Sequence, residues 1–116
     1  MPQDPLTIED TVGPRPGQRI LRLTGPVTIS NLFDFQSRVR SDTSQTLIID
    51  FTKVPYMDSA GIGALVGAYV THQKDGRSLL LVGVSERIHQ ALAITHVEHF
   101  FRFYDSLDAL QQAIAS

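Results

Sequence analysis

The chain has 116 residues, enough for one domain whose core needs neither metal nor disulfide, and its 42% hydrophobic and 19% charged residues are an ordinary globular mix. A formal net charge of -2 argues against the basic surface that nucleic acid requires, and the absence of cysteine excludes disulfide and thiol chemistry. No basic segment precedes an apolar run at the N-terminus, and no apolar stretch nears the ~20 residues of a membrane span, so neither a signal peptide nor membrane insertion is expected and the cytoplasm is the expected compartment.

In chain order, Leu6 to Val12 reads as a weak strand, and the Pro/Gly-rich Gly13 to Gly17 as a turn. Arg19 to Thr24 completes a hairpin, which Gly25-Pro26 ends. Ser30 is placed to cap a helix through Val39, with Leu32, Phe35, Gln36 and Val39 on one face. Thr46 to Phe51 and Leu79 to Val84 are continuous apolar runs, the pattern of strands covered on both faces in a parallel sheet. Ser59 to Asp75 fits a helix between them, which makes a βαβ unit. Ser85 can cap a third helix carrying Ile88, Ala91 and Leu92. Phe101 to Tyr104 is a short last strand, and Ser106 caps a terminal helix whose Leu107, Leu110 and Ile114 face the core.

The informative stretch is Val54 to Gly67, which leaves a buried strand and opens a helix, where sites in α/β sheets gather. At 100° per residue, Ile62, Leu65, Val66, Tyr69 and Val70 form an apolar face. The opposite side carries Ala60, Gly63, Ala64, Gly67, Ala68 and Thr71, all small and uncharged. Each glycine inside a helix costs about 1 kcal/mol relative to alanine, so Gly61, Gly63 and Gly67 need a reason. One reason is a smooth ridge on which a protein partner docks. The other is close packing against a neighbouring element of the same domain. Ser59 also has two readings: Asp-Ser before a helix is a common cap, and a serine at a helix N-terminus also tolerates a phosphate. Next to Asp58, an added charge of about -1.5 to -2 would repel a partner from an uncharged ridge.

Enzyme readings fit poorly. Ser59 and Gly61 half-match a nucleophile elbow, but Met57 holds the position of its first glycine. His72 lies about three and a half turns down the same helix, out of reach as a base; His89, His96 and His99 are not placed by sequence. Gly61 and Gly63 do not extend to a dinucleotide fingerprint, because Val66 falls where the third glycine belongs. His96-Val97-Glu98-His99 lacks further ligands for a metal. Phe100, Phe101 and Phe103 lack interleaved basic residues beyond Arg102, so they read as packing and not as a base-stacking platform.

Met57-Asp58-Ser59-Ala60-Gly61-Ile62-Gly63-Ala64-Leu65, after Leu47-Ile48-Ile49-Asp50-Phe51, resembles the signature of the STAS domain, shared by anti-sigma factor antagonists and sulfate transporters. The resemblance runs from the first hairpin to the terminal helix and includes Phe101-Arg102-Phe103-Tyr104 before a Ser-capped helix. It implies an α/β, STAS-like fold: a small mixed sheet with about four helices packed mainly on one face. Residues 1–116 would form a single STAS domain, with 1–5 loosely ordered. For function it implies an anti-sigma factor antagonist, not an enzyme, without cofactor or metal. An anti-sigma factor serine kinase of the histidine-kinase-like ATPase type would phosphorylate Ser59. The unphosphorylated form would bind that kinase and free a sigma factor, and a metal-dependent serine phosphatase would restore it. Asp58 would be the acidic neighbour of Ser59, and Ala60, Gly61, Gly63, Ala64 and Gly67 would touch the kinase. Thr28, within Gly25-Pro26-Val27-Thr28, stands where many members carry an acidic residue, a departure at an expected partner-binding position. The protein is expected to be a monomer or weak homodimer. The alternative is a non-switching scaffold or a transport-associated STAS subunit.

Overall fold

The computed structural model of the chain describes residues 5–115, so the loose ordering expected for 1–5 falls, Pro5 apart, outside the described residues. The apolar runs form a five-stranded sheet in sequential order: β1 (Thr7–Val12), β2 (Gln18–Thr24), β3 (Thr46–Lys53), β4 (Ser78–Val82) and β5 (Arg102–Tyr104). β1 and β2 are the antiparallel hairpin, and every later pair is parallel, so the sheet is mixed as expected. The connections carry α1 (Leu32–Ser41), α2 (Ser59–Lys74) and α3 (Glu86–Ile94), and α4 (Leu107–Ala115) follows β5. Crossovers between parallel strands are right-handed, so a sequential strand order puts all three connecting helices on one face. Their apolar residues Phe35, Val39, Ile62, Leu65, Ile88 and Leu92 share one core with Leu21, Leu23, Leu47, Ile49, Phe51 and Leu81.

α4 lies on the other face, over Ile20, Ile48, Leu80 and Val82, through Leu110 and the half-buried Leu107. Gln18 and Gln111 exchange amide hydrogen bonds of 3.0 and 3.3 Å, joining β2 to α4. Ile48 is covered by this second core, but Asp50, two residues on along the same face, is not part of it. Its carboxylate takes the Arg22 guanidinium at 3.3 Å from the paired position on β2, and the Thr52 amide at 2.9 Å. That explains an apolar run with one acid near its end.

Three expectations change. α1 starts at Leu32, not after a Ser30 cap. Asn31 stands at the cap position but turns its side chain back into the loop, donating to the Pro26 carbonyl at 2.9 Å and accepting from the Thr28 amide at 3.0 Å. Ile114 is exposed, because the second core ends with Leu110, one turn earlier. Val70 is exposed too. The buried arc of α2 is Gly61, Ile62, Leu65, Ala68 and His72, rotated by roughly 80° from the large apolar face toward the small residues. Gly61 causes this: a Cβ there would collide with the Val27 carbonyl oxygen, and without one the helix seats on its small side.

Candidate functional site

The sequence places a short loop after β2 and another after β3, and the structure stitches them together at the carboxyl end of the sheet. Val27 and Met57 form an isolated parallel bridge; the Val27 amide donates to the Tyr56 carbonyl at 3.2 Å, and the Asp58 amide to the Val27 carbonyl at 3.2 Å. Asp58 is the N-cap of α2, not Ser59. One carboxylate oxygen accepts the Gly61 amide at 2.9 Å and the other accepts the Ile29 amide of the neighbouring loop at 3.0 Å. Partial burial alone would raise the Asp58 carboxyl, but the amides of Ile29, Gly61 and Ala60 outweigh it and hold the group below the usual carboxylate range. Ser59 is therefore the first residue of the helix, exposed, with its backbone fixed by the cap beside it. A phosphate on such a hydroxyl would lie near the amide-rich, positive end of the helix.

From Ser59 an open groove of about 520 Å³ runs between α2 and α1. Ala60, Gly63, Ala64 and Gly67 form its α2 side, and Leu32 and Val39 are among its α1 residues. Among the described residues, no heavy atom lies within 4 Å of where a Cβ on Gly63 or Gly67 would stand, so no contact there requires glycine. Gly61, placed on the docking ridge by sequence, is instead buried against Val27 and answers to intradomain packing. The packing explanation thus accounts for Gly61 and not for Gly63 or Gly67. Thr28 lies in the loop that faces α2; its amide is held by Asn31, and its carbonyl accepts the amides of Asn31 and Leu32 at 3.1 and 2.9 Å, which starts α1.

Sequence reasoning missed the outer lip of this groove. Ile29, 72% exposed, lines the groove ahead of α1, Gln36 and Arg40 line it from α1, and the 74% exposed Phe33 shares their helical stripe just outside the lining. The available signal was two large apolar residues four apart that lie off the Leu32, Phe35 and Val39 core face.

His72, His89 and His99 are engaged elsewhere, and His96 follows α3 with a φ of 62°. His72 is buried about 20 Å down α2 from Ser59, with Nδ1 2.9 Å from the Ala68 carbonyl. His89 Nδ1 is 3.2 Å from a Glu98 oxygen, and its ring packs 4.3 Å from Phe103. His99 packs on Phe100. Among the described residues no group of three His, Asp or Glu side chains is arranged to hold a metal ion. No helix among them is long and apolar enough to cross a membrane.

A mixed sheet with three helices on one face and a capped, serine-led helix at its carboxyl end is the arrangement of a STAS domain. The STAS domain family model matches residues 9–110, and the chain belongs to that family. An anti-sigma-B factor antagonist of Staphylococcus aureus is 31% identical over 68 residues, a stretch that is 59% of this chain and 63% of that protein; the match spans less than two thirds of the relative's length. Among solved structures, a sulfate transporter family protein from Wolinella succinogenes is 28% identical with a TM-score of 0.70, covering 90% of this chain and 89% of that one. The anti-sigma factor antagonist SpoIIAA in its unphosphorylated form has the same fold, with a TM-score of 0.74 at 14% identity over 95% of this chain and 98% of that one. SpoIIAA of Bacillus has also been solved in its phosphorylated form.

Proposed function

We propose that the chain is a cytoplasmic anti-sigma factor antagonist, a non-enzymatic protein that binds an anti-sigma factor serine kinase and is switched off by phosphorylation of Ser59. The observation that carries this reading is the exposed Ser59 one residue before a groove whose α2 wall is uncharged and whose two open glycines meet no heavy atom among the described residues. Docking there would bring the neutral Ser59 hydroxyl to the interface, where one hydrogen bond from the partner offsets its desolvation. A phosphoserine carries about -1.5 to -2 charges, which an apolar interface does not compensate. Asp58 is then a cap and a stitch between loops, and its own charge is already satisfied by backbone amides. The name of the staphylococcal relative and the two states of SpoIIAA support the reading. A metal-dependent phosphatase would return Ser59 to its free form.

The test has two parts. Mass mapping of the protein from its host, in growth and under stress, should find phosphate on Ser59 in changing amounts. Ser59→Asp should lose binding to the host's anti-sigma factor kinase while Ser59→Ala keeps it. The likeness to the Wolinella protein favours a second reading, a transport-associated subunit that does not switch. That reading expects both variants to bind alike and Ser59 to be unmodified in every condition.

A further inference from the structure

We propose that the α1–α2 groove receives an amphipathic helix of the partner, laid along α2, with an apolar face toward Ile29 and Phe33 and a carboxylate reaching Arg40. This rests on the partner-binding reading above and adds the chemistry of what is bound.

Three observations converge. The α2 side of the groove, Ala60 to Thr71, is about 17 Å long, the length of three helical turns, and has no charge along it. Gly63 and Gly67 are open to solvent, so a second backbone can approach α2 more closely there than any side chain would permit. The opposite lip presents the exposed Ile29 at one end, with the exposed Phe33 beside it on α1 outside the lining, and a cation at the other.

The charge pattern selects the occupant. Arg19, Arg22, Arg38 and Arg77 all pair with carboxylates of this chain. Arg15, Arg40, Arg87 and Arg102 have no carboxylate partner among the described residues, and of these Arg40 alone lines the groove. At the other end Asp58 is spent on backbone amides and Ser59 is neutral until modified. An acidic residue near one end of an otherwise apolar helical face complements this distribution. A basic face would meet Arg40 and be repelled. An extended strand would find no free sheet edge in the groove, because both walls are helices.

The experiment places a benzoylphenylalanine crosslinker at position 36 of the full chain in its host cells and maps the crosslinked peptide by mass spectrometry. The expected product joins position 36 to an amphipathic helical segment of another protein with Asp or Glu within one turn. Its yield should fall at least tenfold in Gly67→Leu and in Arg40→Glu, and persist in Arg40→Lys. Gly67→Leu enters open space, so its thermal unfolding should be no lower than that of the unsubstituted chain, which separates blocked docking from misfolding. No crosslink in any condition, a crosslink to a second copy of this chain, a mapped segment without a carboxylate, or full yield in Gly67→Leu and Arg40→Glu each overturns the proposal. Loss in Ser59→Asp with full yield in Gly67→Leu and Arg40→Glu keeps the switch and rejects the helix; the reverse pattern rejects the switch and keeps the helix.

Discussion

Asp58 is best understood by asking where its two oxygens go. One closes the first turn of α2 at Gly61, and the other holds Ile29 on the adjacent loop, so a single carboxylate fixes both the helix that carries Ser59 and the lip of the groove. Replacing it by alanine removes a cap and a loop contact, with an expected loss of about 1–2 kcal/mol in urea unfolding. Asparagine also caps helices well, so Asp58→Asn should lose less, and the difference should depend on pH. The folded group sits below its ordinary value. Its contribution is therefore complete above the unfolded-state value near about 4 and is lost as pH falls through the folded value. The stability gap between the unsubstituted chain and Asp58→Asn should close on acidification from neutral pH. A gap independent of pH would mean that the amides do not favour the charged form.

At the scale of the element, α2 is a helix whose glycines have opposite purposes. Gly67→Ala adds a methyl group to open space and removes a flexible residue, so it should stabilise the fold by about 1 kcal/mol. Gly61→Ala drives a methyl group into the Val27 carbonyl and should destabilise it by about 1–3 kcal/mol. Denaturant midpoints moving in opposite directions would establish the division; equal losses would mean that Gly67 is packed after all. The sequence shows where this helix begins and that Ser59 leads it, because an apolar run, Asp-Ser and a helical pattern follow one another. It does not show the rotation of the helix, because glycine and alanine fit both a buried and an open face, and the choice rests on the backbone of Val27 in another loop. The same limit explains Asn31 and Ser30, two good cap types in succession. The choice between them is settled by the position of the Pro26 carbonyl. The residues Ile29, Gln36 and Arg40 line one groove with α2 only once α1 and α2 are set side by side.

Over the whole molecule, Ser59 and a buried polar lock are separated by the length of the sheet. The carboxyl ends of β2 and β3 carry Ser59 and its loops. The amino ends of β3 and β4 carry a buried polar cluster built on Asp42, which follows α1. Its carboxylate accepts the Ser44 hydroxyl at 2.8 Å and the Arg77 guanidinium at 3.4 Å, and His72 Nε2 stands 3.5 Å away without a hydrogen bond. The side chains of Asp42 and His72 are 7% and 1% exposed, so neither can turn to solvent without moving its element. Burial of this kind makes removal of one member more costly than the pair is worth. Asp42→Ala removes the carboxylate that accepts Ser44 and one of the two carboxylates on Arg77, which keeps Asp75 at 3.1 Å, and should lose about 1–3 kcal/mol. The loss lies at the foot of α2, about 20 Å along the helix from Ser59. Below its lowered melting temperature, Asp42→Ala leaves the groove side chains of Arg40 and Thr71 themselves unchanged and should bind the same partner with unchanged affinity, as read by calorimetry beside Ser59→Ala. If affinity falls with stability, the two ends of α2 are coupled and the helix does not act as a rigid strut. If only stability falls, the polar cluster serves the scaffold alone, and every determinant of docking lies at the carboxyl end of the sheet and along the groove.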